Sequence, residues 1–387
     1  MIKKIMLITI LVFGLSINFS YGEENMFVHG FYAINSYDQF SSMEKNKSIK
    51  NMDSIGFGWS RLTYDEETDS IILNMKPTNN NDFYIPYGYD EPLKIASKYE
   101  ISTGLNVYAQ SNLDKILEKE DELIEILISE INLNDISGKN INFSSIIIDF
   151  ENLRESEKDN FCNFLRNLKT KLVESNKELY VMVPSSDWYE SYDYKTIGEI
   201  ADKVIVMAHD YDFKNIQVQR AEMVYSALAP IENIRKTLEY ITNEETGIKD
   251  KKKVLLQINF GTSQWKIKDG YIYTQTNDNI AYSSKPTYEK IYERIEKEIE
   301  KGNSLDNIIF YDMKAKCPYI SYYNKEDSTK NIIWYEDKRS VFEKINLVNE
   351  FDLGGISIWR IGNIPEFYSP VKTPFHLDVW QGMQSIF

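Results

Sequence analysis

Two acids close an otherwise apolar run, Ser144-Ser145-Ile146-Ile147-Ile148-Asp149-Phe150-Glu151-Asn152. In an extended strand side chains alternate, so Asp149 and Glu151 share one face with Cα atoms about 7 Å apart, while Phe150 takes the other. Carboxylates are costly to bury unless paired or put to use, so the spacing points either to one shared pocket or to a strand that ends in water. In a pocket, two such neighbours cannot both ionise easily. One keeps a raised pKa and can donate a proton near neutral pH, as protonation of a glycosidic oxygen requires. A second apolar run, Val204-Ile205-Val206-Met207, also ends in polar and ring residues: Ala208-His209-Asp210-Tyr211-Asp212. His209 is one of three histidines, and Asp210 beside it makes a titratable site residue. His29, inside an apolar run, reads instead as a hydrogen-bonded core histidine.

These residues need a scaffold that gathers strand ends. Eight short runs rich in β-branched and aromatic residues recur along the chain: 27–33, 54–59, 101–109, 143–150, 179–183, 203–208, 254–260 and 355–359. Helical periodicity lies between them, notably over 113–131 and over 156–175, the latter with Ser156 as a cap. Several strands are apolar on both faces, as parallel strands covered by helices must be. Regular alternation without a glycine-rich phosphate loop predicts an α/β fold, a closed (β/α)8 TIM barrel with its site at the C-terminal ends of the strands. About 95 residues separate the seventh and eighth strands, too many for one crossover. A small insertion over about 262–350 is therefore expected on the barrel mouth, with strand-like pieces near 271–274 and 332–334.

With the motifs in place, the chain resembles the glycoside hydrolases of family 18, the chitinase-like enzymes. Their fourth strand ends in D-x-x-D-x-D-x-E, matched at its last two acidic positions by Asp149 and Glu151, while Ser144 and Ile147 stand at the first two. Their sixth ends in M-x-Y-D, matched by Met207, Ala208, His209 and Asp210, with histidine in place of tyrosine. Their eighth supplies a tryptophan beneath the sugar, the position of Trp359. The phrases His29-Gly30-Phe31-Tyr32-Ala33, Trp334-Tyr335-Glu336-Asp337 and Ile358-Trp359-Arg360-Ile361-Gly362 are similar to the branch of spore cortex-lytic N-acetylglucosaminidases and germination proteins. The resemblance implies a retaining hydrolase of β-linked N-acetylglucosamine polymers, peptidoglycan of spore or cell wall before chitin. Glu151, Asp149 and Asp210 would be catalytic, and His209, Trp359, Tyr211, Tyr37 and Trp334 would bind substrate. No cofactor or metal is implied. The absence of acids at Ser144 and Ile147 keeps open a second reading, a barrel that binds glycan without turning it over.

Composition narrows the partners. With 59 acids against 44 bases the net charge is −15, a surface that repels nucleic acid and anionic membranes. Lys3 and Lys4, the apolar run Ile5 to Phe13 and the small residues before Glu23 read as a cleaved export signal over residues 1–22, leaving 23–387 as the barrel without a membrane anchor. Two cysteines, Cys162 and Cys317, are too few for a disulfide framework, and Cys162 is expected as a buried thiol.

Overall fold

The computed structural model describes residues 26–33, 44, 48–78, 81–86, 89–134, 140–185, 189–211, 227–275, 280–281, 283–364 and 376–383. The export-signal reading of residues 1–22 and the binding role given to Tyr37 lie outside the described residues.

Eight parallel strands close into a barrel. In chain order they are β1 (Phe27–Tyr32), β2 (Ser54–Asp65), β4 (Ser102–Ala109), β5 (Ser145–Phe150), β6 (Glu178–Pro184), β7 (Lys203–Met207), β8 (Val254–Asn259) and β13 (Gly355–Trp359). Each pairs with its predecessor, and β13 returns to β1 through Phe27 opposite Gly355 and His29 opposite Ser357. Between β2 and β4 runs β3 (Ser70–Asn74), an antiparallel partner with which β2 continues beyond its expected end at Trp59 into a hairpin. Along β5 the alternation is clean. Ile146, Ile148 and Phe150 join the outer core against helices, whereas Ile147 joins an inner plug with Phe31, Tyr180, Met182, Ile205, Met207 and Leu255. The plug is tight: a Cβ on Gly56 would lie 2.6 Å from Ile147 Cδ1 and 2.9 Å from Phe31 Cε1, so those side chains would have to shift to admit a larger residue.

The covering helices include α1 (Asp90–Lys98), α2 (Leu113–Glu118), α3 (Glu120–Glu130), α4 (Lys158–Glu174), α5 (Tyr194–Ile200) and α6 (Ile231–Ile241). The helix expected over 113–131 is thus broken at Lys119, whose φ and ψ leave the helical region. The expected cap at Ser156 is also corrected. A 3-10 turn precedes α4, and Glu157 ties it by accepting from the Arg154 backbone N–H at 2.8 Å and from Arg154 Nε at 2.6 Å.

After β8 the chain leaves the barrel for an antiparallel sheet built from β9 (Ser263–Lys268), β10 (Ile309–Asp312), β11 (Cys317–Asn324) and β12 (Thr329–Trp334), with α7 (Tyr288–Glu300) alongside. Trp265, Ile267, Ile272, Cys317, Ile332 and Trp334 form its own small core. The span expected as insertion also contains α8 (Lys338–Glu350), which packs on β8 and β13 as a barrel helix. A buried polar joint fixes the two parts. Glu336 Oε2 accepts from Lys344 Nζ at 2.7 Å and from Ser340 Oγ at 2.6 Å, and Asp337 caps α8 through the Arg339 and Ser340 amides. The phrase Trp334-Tyr335-Glu336-Asp337 is therefore a structural hinge-pin between sheet and barrel. Cys162 and Cys317 are both buried free thiols.

Candidate active site

The inward positions change character toward the C-terminal ends of the strands. Above the apolar plug come Asn106 and Tyr108 on β4, Asp149 on β5, Gln257 and Asn259 on β8 and Trp359 on β13, with Glu151 one residue and His209 two residues beyond their strands. Register sets neighbours side by side: Asn106 lies opposite Ile147 and Tyr108 opposite Asp149. The Glu151 N–H continues this ladder to Ala109 O at 2.8 Å.

Asp149 is only 3% exposed. Its Oδ2 lies 3.5 Å from Asn106 Nδ2, and its Oδ1 has no hydrogen-bond partner among the described residues. Burial, reinforced by the Glu151 charge, pushes its carboxyl well above the usual carboxylate range. Asp149 and Glu151 thus form a coupled pair in which the buried member favours the proton.

His209 stands at the rim of β7, buried, with Nε2 2.6 Å from Gln257 Oε1 and Nδ1 3.3 Å from Asp210 Oδ2. Burial alone would lower its pKa. The Asp210 charge, its hydrogen bond and the Gln257 contact outweigh that and raise it, so the ring is biased toward the imidazolium, which donates from both nitrogens. Asp210 adopts a left-handed φ of 59° and accepts from Asn259 Nδ2 at 3.4 Å. The structure therefore joins Asp149, Glu151, His209 and Asp210 into one polar patch, linked by the influence of Glu151 on both Asp149 and His209.

Aromatic rings border this patch. Trp359, half-buried, packs edge-on against Phe31 with centroids 5.3 Å apart and lies 6.5 Å from Phe83. Phe83 in turn stacks on Tyr108 at 4.7 Å, and the Arg61 guanidinium sits 5.2 Å from the Tyr108 ring centre.

Two expected binding residues are placed elsewhere. Trp334 is 4% exposed and packs at 4.7 Å on Tyr319 in the core of the inserted sheet, so it presents no face to a sugar. The Tyr211 hydroxyl is 2.6 Å from Thr237 Oγ1 on α6, and its ring packs on the outer core, which makes it a strand-to-helix tie. Conversely, Asn106, Tyr108, Phe83, Gln257 and Asn259 were not singled out from the sequence. Four of them carried a usable signal, the two-residue polar spacing of Asn106 with Tyr108 and of Gln257 with Asn259 at the ends of apolar strands, the same parity that marks Asp149 and Glu151. Phe83 lies in a connection and had none.

Among known families, the model described as glycosyl hydrolases family 18 matches residues 93–363. The chain belongs to this family. The match takes in β4 through β13 and hence every site residue just described except Phe31, Arg61 and Phe83. Among curated relatives, the cortical fragment-lytic enzyme of Bacillus subtilis is 27% identical over 270 residues, covering 68% of this chain and 56% of that protein. The chain spans about half the length of the curated relatives it matches first. Among solved structures, the spore cortex-lytic enzyme SleL of Bacillus cereus superposes with a TM-score of 0.66 at 18% identity, covering 94% of this chain and 74% of that one. A chitinase from Chromobacterium violaceum gives 0.67 at 17% identity, covering 94% and 99%. Both share the barrel fold seen here.

Proposed function

We propose that this family 18 protein is a retaining glycoside hydrolase that cleaves β-linked N-acetylglucosamine polymers, with peptidoglycan of the spore or cell wall as its substrate and an exported, wall-facing place of action. The observation that carries the reading is Asp149, buried beside Glu151 on one strand edge, where burial and the Glu151 charge raise its pKa. A protein nucleophile would have to face the acid across the scissile bond at about 5–5.5 Å, and a residue of the same strand is badly placed for that. The substrate's own acetamide removes the need. As its carbonyl oxygen attacks the anomeric carbon, positive charge grows on the acetamide nitrogen. That charge favours an anionic Asp149, so the stored proton passes to Glu151 and from there to the leaving oxygen. Asp210, with His209 beside it, contributes to positioning the acetamide. Water then opens the cyclic intermediate with Glu151 acting as base, which restores the proton and retains configuration.

The names of the relatives support wall glycan as the polymer: they are called cortical fragment-lytic and sporulation-specific proteins. One observation favours a second reading, binding without turnover: Ile147 is buried apolar where the family motif carries an acid, so no inner carboxylate shares the Asp149 proton. Zymography on spore cortex, vegetative wall and chitin separates the two. Clearing of cortex with release of fragments ending in N-acetylglucosamine is expected, and binding to all three without clearing would establish the second reading.

A further inference from the structure

Asp149 has lost the neighbour below it, and the structure shows what stands in its place. The inward residue beneath it is Ile147, part of the apolar plug, which offers neither a hydrogen bond nor a place for a proton. Diagonally across the β4–β5 ladder, opposite Ile147, is Asn106, fully buried, its carboxamide in reach of Asp149 Oδ2 and its own Oδ1 without a partner among the described residues. The backbone holds this strand segment in place, because Ser60 Oγ donates to the Asn106 carbonyl at 2.7 Å. At 3.5 Å the Asn106–Asp149 contact is at the long end of the hydrogen-bond range.

We propose that Asn106 is the positioning residue that substitutes for the missing inner acid, holding Asp149 Oδ2 as an acceptor so that the proton resides on Oδ1 and has Glu151 as its one outlet. An amide N–H can donate to a carboxyl oxygen but cannot take its proton. A carboxylate at position 147 could do both, parking the proton below Asp149 and away from the substrate. Here the proton moves only between Asp149 and Glu151: O–H on Asp149 breaks as O–H on Glu151 forms, and the resulting Asp149 anion is held by the same amide. Other titratable groups facing the pair are Tyr108 on β4, Tyr192 beyond β6, which donates to Phe150 O, and His209 with Asp210 at the end of β7.

The inference rests on the hydrolase reading, and its test keeps the two apart. Asn106→Leu should lower kcat roughly 100-fold with KM little changed, the scale of loss when a reacting group is misplaced by about 1 Å. Asn106→Asp gives the decisive readout. While protonated, its carboxyl can donate the same hydrogen bond; once ionised, it cannot. Its kcat should approach wild type at acid pH and fall away as the new carboxyl ionises, a pH dependence that a purely structural role would not create. In parallel, carbon-13 NMR of labelled aspartate should show the Asp149 titration moving up in Asn106→Leu, since an anion-stabilising donor is gone. Wild-type kcat in both variants, or a uniform loss in Asn106→Asp at every pH, would overturn the inference. If the wild type cleaves no N-acetylglucosamine polymer, the hydrolase reading fails, and an unmoved Asp149 titration would then sink the Asn106 contact separately.

Discussion

At the residue scale the site is a contest between burial and charge. Burial, then the Glu151 charge, favour the protonated form of Asp149 against the single opposing donor Asn106, and this carries a stability cost with a definite sign. Its folded pKa lies above its unfolded value, so the native state binds more protons, and stability fully present below the ordinary carboxylate range is lost as pH rises from that range up through the raised folded value. Asp149→Asn should therefore be more stable than wild type at pH 7, with the gap closing toward pH 4, while turnover drops severely. Urea unfolding at both pH values checks it, and an equal or lower stability at pH 7 would refute it. Trp359 is the second residue with an exposed consequence. If its ring is the sugar platform, Trp359→Ala should weaken oligosaccharide binding by about 1–3 kcal/mol, taking the scale of ring stacking on bases. Calorimetric titration measures it, and unchanged affinity in a folded variant would return Trp359 to the barrel core.

At the element scale, what the sequence made legible is what alternation and local composition encode. The eight barrel strands follow from β-branched runs, and the shared face of Asp149 and Glu151 follows from their spacing of two. What was not legible depends on partners distant in sequence. Asn106 meets Asp149 across 43 positions and Gln257 meets His209 across 48, so neither pairing leaves a local trace. Trp334 and Trp359 look alike in sequence, each closing an apolar strand. Only packing distinguishes them, because Trp334 on β12 is buried in the small core of the inserted sheet, whereas Trp359 at the end of β13 is half-buried at the barrel mouth. The break of the expected long helix at Lys119 and the β2–β3 hairpin are likewise decided by how the chain folds back. The joint between insertion and barrel makes its own prediction. Lys344→Met leaves Glu336 buried without its cation, which should cost about 3–5 kcal/mol, while Lys344→Met with Glu336→Leu should recover much of it. Thermal unfolding of the two variants tests this. A single variant as stable as wild type would mean the pair contributes nothing to the joint.

At the scale of the whole molecule, the barrel couples its chemistry and its stability to pH through groups sealed inside it. His29, hydrogen-bonded to Ser357 on β13, has its pKa lowered by burial to about 3. Its folded pKa lies below its unfolded one, so stability is full above about pH 6.5 and is lost as pH falls toward 3, by up to about 1.4 kcal/mol per pH unit. His29→Asn should flatten that acid limb, and an unchanged slope in acid unfolding would contradict it. On the proposed hydrolase reading the same burial would serve the reaction: Asp149, buried beside Glu151, favours a proton, ring side chains border the pair, and the acetamide of the substrate would supply the nucleophile. The measurement that bears most directly on this account is hydrolysis and binding of N-acetylated wall glycan by wild type and Glu151→Gln, with a de-N-acetylated glycan as control. The account requires wild type to cleave only the N-acetylated polymer and Glu151→Gln to bind it without cleaving; full activity in Glu151→Gln, or cleavage that does not need the acetamide, would contradict it.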